Sequence, residues 1–154
     1  MGACIENLKK KNLFESLKLS LSEKPYLGIC LGLQVLFSLS EESIDSEGMN
    51  IFSGKVERFT ENENFKIPHM GWNQVVFKKK HFVNKNIPNS SNFYFVHSYA
   101  SKELKKDNIL AETTHGELFN SAVIQDNVIG VQFHPEKSGA QGLKFLENFI
   151  NWKI

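Results

Sequence analysis

At 154 residues, with 41% hydrophobic and 23% charged side chains, the chain has the make-up of one soluble globular domain large enough for a real core. A net charge of +1 and a single arginine, Arg58, supply neither the field nor the bidentate donors that nucleic acid demands, so that class of partner is excluded. The longest apolar stretch, residues 26–37, is too short for a bilayer, no secretory leader is expected, and Cys4 and Cys30 build no disulfide framework, which together predict a cytoplasmic setting without membrane contact.

Leu8, Leu13, Phe14, Leu17 and Leu21, set among lysines and serines, predict an amphipathic helix over 7–21. Pro25 ends it and introduces a short apolar strand, Tyr26-Leu27-Gly28-Ile29. That strand runs into Gly28-Ile29-Cys30-Leu31-Gly32, one cysteine between two glycines spaced for a sharp strand-to-helix turn. Such a turn strains its central residue and needs flankers without a Cβ, so that strand and helix can approach. The same logic governs the G-x-S-x-G nucleophile elbow, here with sulfur in place of oxygen. The pentapeptide alone fits a buried free cysteine equally well.

A second helix is expected from the elbow to about Leu39, then an acidic loop over 41–49. From Ile51 onward the pattern turns to strands: 54–59, 74–78, 93–98, 109–113, 122–125 and 128–133, the last two joined by a tight turn at Asp126-Asn127. Lys78-Lys79-Lys80-His81 reads as the solvated tip of a hairpin. Gly139 opens a closing amphipathic helix through Leu143, Phe145, Leu146, Phe149, Ile150 and Trp152. The order is α/β with an unusual start: one strand-elbow-helix unit precedes a run of strands. The parallel neighbours an elbow strand normally has must come from later strands or be absent.

A thiol is mostly protonated at neutral pH and needs a base to become a nucleophile. His134 ends the apolar run Gly130-Val131-Gln132-Phe133 and would project from a strand end, because Pro135 cannot continue the ladder. Glu136, two residues on, can accept the second ring proton, fix the tautomer and stabilise the imidazolium. Cys30, His134 and Glu136 thus make up a thiol-histidine-carboxylate triad. His69, His81, His97 and His115 lie at scattered positions, with no H-E-x-x-H and no paired C-x-x-C, so neither a metal site nor a cofactor is expected.

Pro25 to Gln34 together with Gly130 to Glu136 resembles the class I, triad-type glutamine amidotransferases. Lys66-Ile67-Pro68-His69-Met70-Gly71-Trp72-Asn73, Phe93 to Tyr99 and Lys137-Ser138 narrow the resemblance to the glutaminase subunits of imidazole glycerol phosphate synthase, over essentially the whole chain. The resemblance implies a flavodoxin-like mixed sheet flanked by helices, in a single domain over 1–154. It also implies a γ-glutamyl thioester on Cys30, with His134 as acid and base and Glu136 as its orienter. Leu31, through its backbone amide, Gln34, Ser98 and Tyr99 match glutamine-holding positions. Met70, Trp72 and Lys137 match positions at the contact with a barrel-shaped cyclase, the heterodimer partner that takes the ammonia into histidine biosynthesis.

Family members begin well before the position of Met1, and Gly2 to Leu8 resembles the residues just after their P-G-x-G loop. The expectation is an N-terminally truncated form whose sheet lacks central strands and whose oxyanion hole keeps the Leu31 amide but lacks one donor. Losing such a donor costs roughly 100- to 1000-fold in rate, which predicts a weak glutaminase. Other readings of the same residues are a cysteine hydrolase on a similar elbow, a paralogous glutaminase feeding another acceptor such as a sugar, and a remnant that only binds the cyclase.

Overall fold

A computed structural model of the chain describes residues 1–61, 65–102 and 104–154. The amphipathic stretch near the amino end forms two helices, α1 (Gly2–Lys10) and α2 (Phe14–Ser20), not the single helix expected over 7–21. The break is Asn12, which takes a left-handed φ of 56° while its amide and that of Leu13 bond back to Lys9 and Leu8. Asparagine tolerates that conformation better than most side chains, and one such residue suffices to end a helix.

Strand β1 (Tyr26–Ile29) and the elbow follow as expected, but helix α3 spans only Leu31–Gln34. The expected extension to Leu39 is strand β2 (Phe37–Ser40), paired parallel with β3 (Phe52–Arg58). Loop residues Met49 and Ile51 donate to the carbonyls of Val35 and Leu36, and Gly48 to Ser38. These bonds draw the backbone out of helix. Phe37 and Phe52, both fully buried, meet across the pair with ring centroids 5.6 Å apart, a cross-strand contact that helical geometry would not supply.

The rest is mostly strand: β4 (His69–Phe77), β5 (Ser91–His97), β6 (Tyr99–Ser101), β7 (Ile109–His115), β8 (Glu117–Gln125) and β9 (Val128–Val131), closed by helix α4 (Gly139–Ile150). β4 begins five residues earlier than its alternation suggested, and the short β6 was not expected from sequence. Lys78–His81, expected at the tip of a hairpin, opens the long connection between the antiparallel β4 and β5, which continues through a 3-10 turn at Phe82–Asn84.

A six-stranded sheet runs in the order β1-β9-β8-β7-β4-β5, and a three-stranded one in the order β2-β3-β6. Only β1 and β9 are parallel in the larger sheet, so the last strand of the chain supplies the parallel neighbour the elbow needs. The main core buries Phe93, Phe95, Phe119, Phe133 and Phe145, the last from α4, while Leu33, Leu36, Phe37 and Phe52 centre a second cluster. Among the described residues no helix is long and apolar enough to cross a membrane.

The two elbow glycines are not equivalent. An alanine Cβ at Gly28 would stand 2.2 Å from the Gly32 carbonyl oxygen, whereas one at Gly32 would meet nothing nearer than Tyr26 Oη at 3.8 Å. The expectation that both flankers must lack a Cβ therefore holds for Gly28 alone. Gly28→Ala is expected to lower unfolding stability by about 3 kcal/mol or more, as overpacking against backbone does. Gly32→Ala, inside a helix, should be neutral or gain up to about 1 kcal/mol. Urea denaturation of the two variants checks the contrast, and equal losses would contradict it.

Candidate active site

Parallel pairing of β1 with β9 sets Gly28 opposite Gly130 and Ile29 opposite Val131. The ladder runs one step further, Cys30 N–H donating to the Val131 carbonyl at 2.8 Å. At that point the backbone breaks into the elbow. Cys30 has φ 50° and ψ −102°, outside every region an L-residue favours, a strain of order 1–3 kcal/mol that surrounding structure must hold.

His134 lies three residues beyond Val131, at the same end of the sheet. Its N–H donates to the Tyr94 carbonyl at 2.8 Å. Ser138 stitches the segment a second time: its Oγ donates to the His134 carbonyl at 2.6 Å and accepts the Tyr94 N–H at 2.9 Å. Pro135 then starts a 3-10 turn, Pro135–Lys137, which brings Glu136 back to its neighbour. Nδ1 of His134 lies 2.7 Å from Glu136 Oε1. An ionised carboxylate only accepts, so Nδ1 carries the proton and Nε2 is the free basic nitrogen.

The sulfur of Cys30 takes a hydrogen bond from Gln132 Nε2 at 3.6 Å, and among the described residues none joins it to His134. Burial pushes the thiol above its ordinary pKa, with the Glu136 and Glu42 charges adding to the rise, while the Leu31 amide and Gln132 pull it down. The resting sulfur is therefore a protonated thiol. Gln132 has no role in the triad read from the sequence. It is fully buried, its N–H is anchored on the Ser121 carbonyl, and its Oε1 has no partner among the described residues. A lone amide inside the apolar run 128–133 is the signal that could have singled it out.

The other sequence candidates fall into two groups. Gln34, nearly buried, donates from Nε2 to the Tyr99 carbonyl at 3.3 Å, so these two meet. The Ser98 carbonyl is taken by the Phe59 amide at 3.1 Å, and the Leu31 side chain is half-exposed beside the elbow. Met70 and Trp72 stand out from β4 at 62% and 58% exposure, large values for such side chains. Trp72 packs edge-on against Tyr94, whose backbone holds His134, and Lys137 is exposed in the turn after that histidine.

His69, His97 and His115, scattered in the chain, gather in space. β4 and β5 pair His69 directly opposite His97, and the His115 ring stacks on His69 at 4.0 Å. Burial and the neighbouring histidines lower His69 to about 3, and burial lowers His97 to about 4, so both are neutral in ordinary conditions. No residue spacing announces this cluster, because it exists only once the strand register does.

A family model for glutamine amidotransferase class-I matches residues 6–152. The imidazole glycerol phosphate synthase subunit HisH of Hydrogenovibrio crunogenus is 43% identical over 152 residues, spanning 97% of this chain and 71% of that one. The HisH protein of Aromatoleum aromaticum is 43% identical over 159 residues, spanning 99% and 74%. Among solved structures, a glutamine amidotransferase superposes with a TM-score of 0.65 over 92% of this chain and 70% of its own length. Another glutamine amidotransferase, from Thermotoga maritima, does so with 0.56 over 98% and 59%. These two are 18% and 19% identical to this chain, a likeness that speaks for the fold alone. On the family match along nearly its whole length and the HisH relatives above 40% identity, the chain belongs to the class-I glutamine amidotransferases, in the branch of the HisH subunits.

Proposed function

We propose that this chain is the glutaminase subunit of imidazole glycerol phosphate synthase, hydrolysing the side-chain amide of glutamine and passing the ammonia to a cyclase partner for histidine biosynthesis. The observation that carries the reading is the pairing of β1 with β9, which ends one strand in a strained cysteine and its neighbour in a carboxylate-held histidine.

Glutamine enters with its amide carbon against the Cys30 sulfur. Nε2 of His134 takes the thiol proton as the two side chains close on the substrate; such contacts commonly tighten only in the complex. The thiolate adds to the carbon, and the resulting oxyanion meets the Leu31 amide at the start of α3. Collapse of the tetrahedral species breaks the C–N bond, and the imidazolium returns its proton to the departing nitrogen, releasing ammonia and leaving the γ-glutamyl thioester. His134 then deprotonates a water that attacks the thioester, giving glutamate and the free thiol. Glu136 keeps Nδ1 protonated and balances the imidazolium in both halves. Gln34 and the Tyr99 backbone hold the glutamine, and Gln132 steadies the sulfur. Met70, Trp72 and Lys137 meet the partner, beside the histidine that releases the ammonia.

Ammonia release from glutamine, measured with the cyclase present, is expected to vanish in Cys30→Ala and to fall about 100- to 10,000-fold in His134→Ala, the span typical for loss of a general base. Persistent turnover in Cys30→Ala would end the reading.

The rate of Cys30 alkylation by iodoacetamide, followed against pH, reports the thiol. Gln132→Leu removes a donor that lowers the thiol pKa, so its profile should move to higher pH. A profile that stays in place or moves down would remove Gln132 from the sulfur's support.

Trp72→Ala should weaken partner binding by about 2 kcal/mol, near 30-fold in Kd, as truncating a central interface aromatic does. Titration calorimetry against the cyclase reads it, and an unchanged Kd would take Trp72 out of the contact.

A further inference from the structure

Four hydrogen bonds in series connect strand β4 with Gln34. Asn73 Nδ2 donates to His69 Nε2 at 3.1 Å, His69 Nδ1 lies 2.9 Å from His97 Nε2, and His97 Nδ1 lies 2.9 Å from the Tyr99 carbonyl. Gln34 Nε2 reaches that same carbonyl at 3.3 Å. The direction of every bond is forced. A carbonyl only accepts, so His97 is protonated on Nδ1 and bare on Nε2; His69 must then donate from Nδ1 and accept on Nε2, where the Asn73 amide supplies the proton. Asn73 is itself locked, its second N–H on the Thr114 carbonyl and its Oδ1 on the Gln74 amide.

The terminus of the series is a carbonyl that the strand ladder leaves free. Ser98 gives its carbonyl to Phe59 in the segment after β3, and alternation along β6 turns the next one, that of Tyr99, to the opposite side. His97 and Gln34 between them fill both of its lone pairs. The imidazole that does this is 6% exposed and walled by Phe59, Phe95 and Phe119 at ring separations of 5.2–5.6 Å. An apolar side chain would fill that cage more cheaply, since a buried polar group only breaks even when all its bonds are made.

We propose that His97, held in one tautomer by His69 and Asn73, is a positioning residue for the glutamine site: by donating to the Tyr99 carbonyl it fixes the acceptor that aims Gln34 at the substrate. It rests on the glutaminase reading above and adds a residue to it. The same series begins on the strand that displays Met70 and Trp72, so the candidate partner surface and the substrate-holding amide belong to one hydrogen-bonded unit.

Two polar replacements of His97 separate positioning from packing. Asparagine places an N–H where Nδ1 stands and drops the acceptor for His69; glutamine reaches the Nε2 position to serve His69 and drops the donor to Tyr99. The readout is the rate at which 6-diazo-5-oxo-L-norleucine, a reactive glutamine analogue, alkylates Cys30, against the rate with iodoacetamide, which needs no glutamine site. His97→Gln should slow the analogue about tenfold, the equivalent of one hydrogen bond to a binding group. It should leave iodoacetamide within about twofold, while His97→Asn restores the analogue to within about threefold of the parent chain. In a Gln34→Ala background, His97→Gln should add less than about twofold. Equal slowing by both replacements, or equal slowing of both reagents, would reduce His97 to packing and overturn the proposal. A parent chain that the analogue labels no faster than iodoacetamide would instead overturn the glutaminase reading, and this inference with it.

Discussion

The four-residue parallel contact between β1 and β9 is the constraint from which the site follows. It joins segments about a hundred residues apart, and its register decides which side chains leave the sheet at the same end. Gly28 facing Gly130 is the tightest point: a Cβ on the first would strike the Gly32 carbonyl, and one on the second would strike Leu33 at 2.4 Å. The close approach made possible there presses α3 against the sheet and holds Cys30 in its left-handed conformation. A slip of one residue would turn every side chain of β9 to the other face and change which side chains leave the sheet beside the elbow.

Around that contact the site is held by buried polar groups, each with its own anchor. Ser138 ties the His134 segment to β5 through two bonds, and Gln132 hangs between the Ser121 carbonyl and the thiol. The histidine pair fills the remaining space beside Tyr99. Groups of this kind cost free energy to bury and return it only in one geometry, so they favour a single arrangement over many nearly equal ones. The candidate reacting side chains, by contrast, lie nearer the surface: Glu136 is exposed and His134 half-buried.

The sequence singled out the candidate reacting residues because their local chemistry is compressed into short stretches. Glycine spacing marked the elbow, and His134-Pro135-Glu136 carried the orienting carboxylate, although β9 ends at Val131 and not at Pro135 as expected. β1, β7, β9 and α4 were equally readable from apolar period and turn residues, whereas only the last four residues of β8 (Glu117–Gln125) were. What escaped was set by distant partners. Residues 35–39 carry apolar side chains at helical spacing, yet the loop at 48–52 and the facing Phe52 recruit them into β2. The amphipathic pattern over 7–21 gave no warning that Asn12 would break it, since its apolar face continues in phase across the turn. His69 and His97 looked unrelated because β4 and β5 define their meeting, and β6, three residues long, has too little pattern to see.

The direction of the Cys30 pKa bears on when the site becomes reactive. Burial and the nearby carboxylates hold the thiol protonated, and the two donors on the sulfur offset this only in part. A thiol raised in this way is a poor nucleophile toward casual electrophiles, since the thiolate is the attacking species. On the glutaminase reading proposed above, it becomes a good one when the proton moves to His134, whose Nε2 is bare because Glu136 engages Nδ1. The negative charge of Glu136, which in the empty site disfavours a second anion on sulfur, then favours the imidazolium that must stand beside it. On the glutaminase reading, burial chiefly and Glu136 in smaller part keep the thiol quiet at rest, and the same carboxylate supports the imidazolium once substrate is in place.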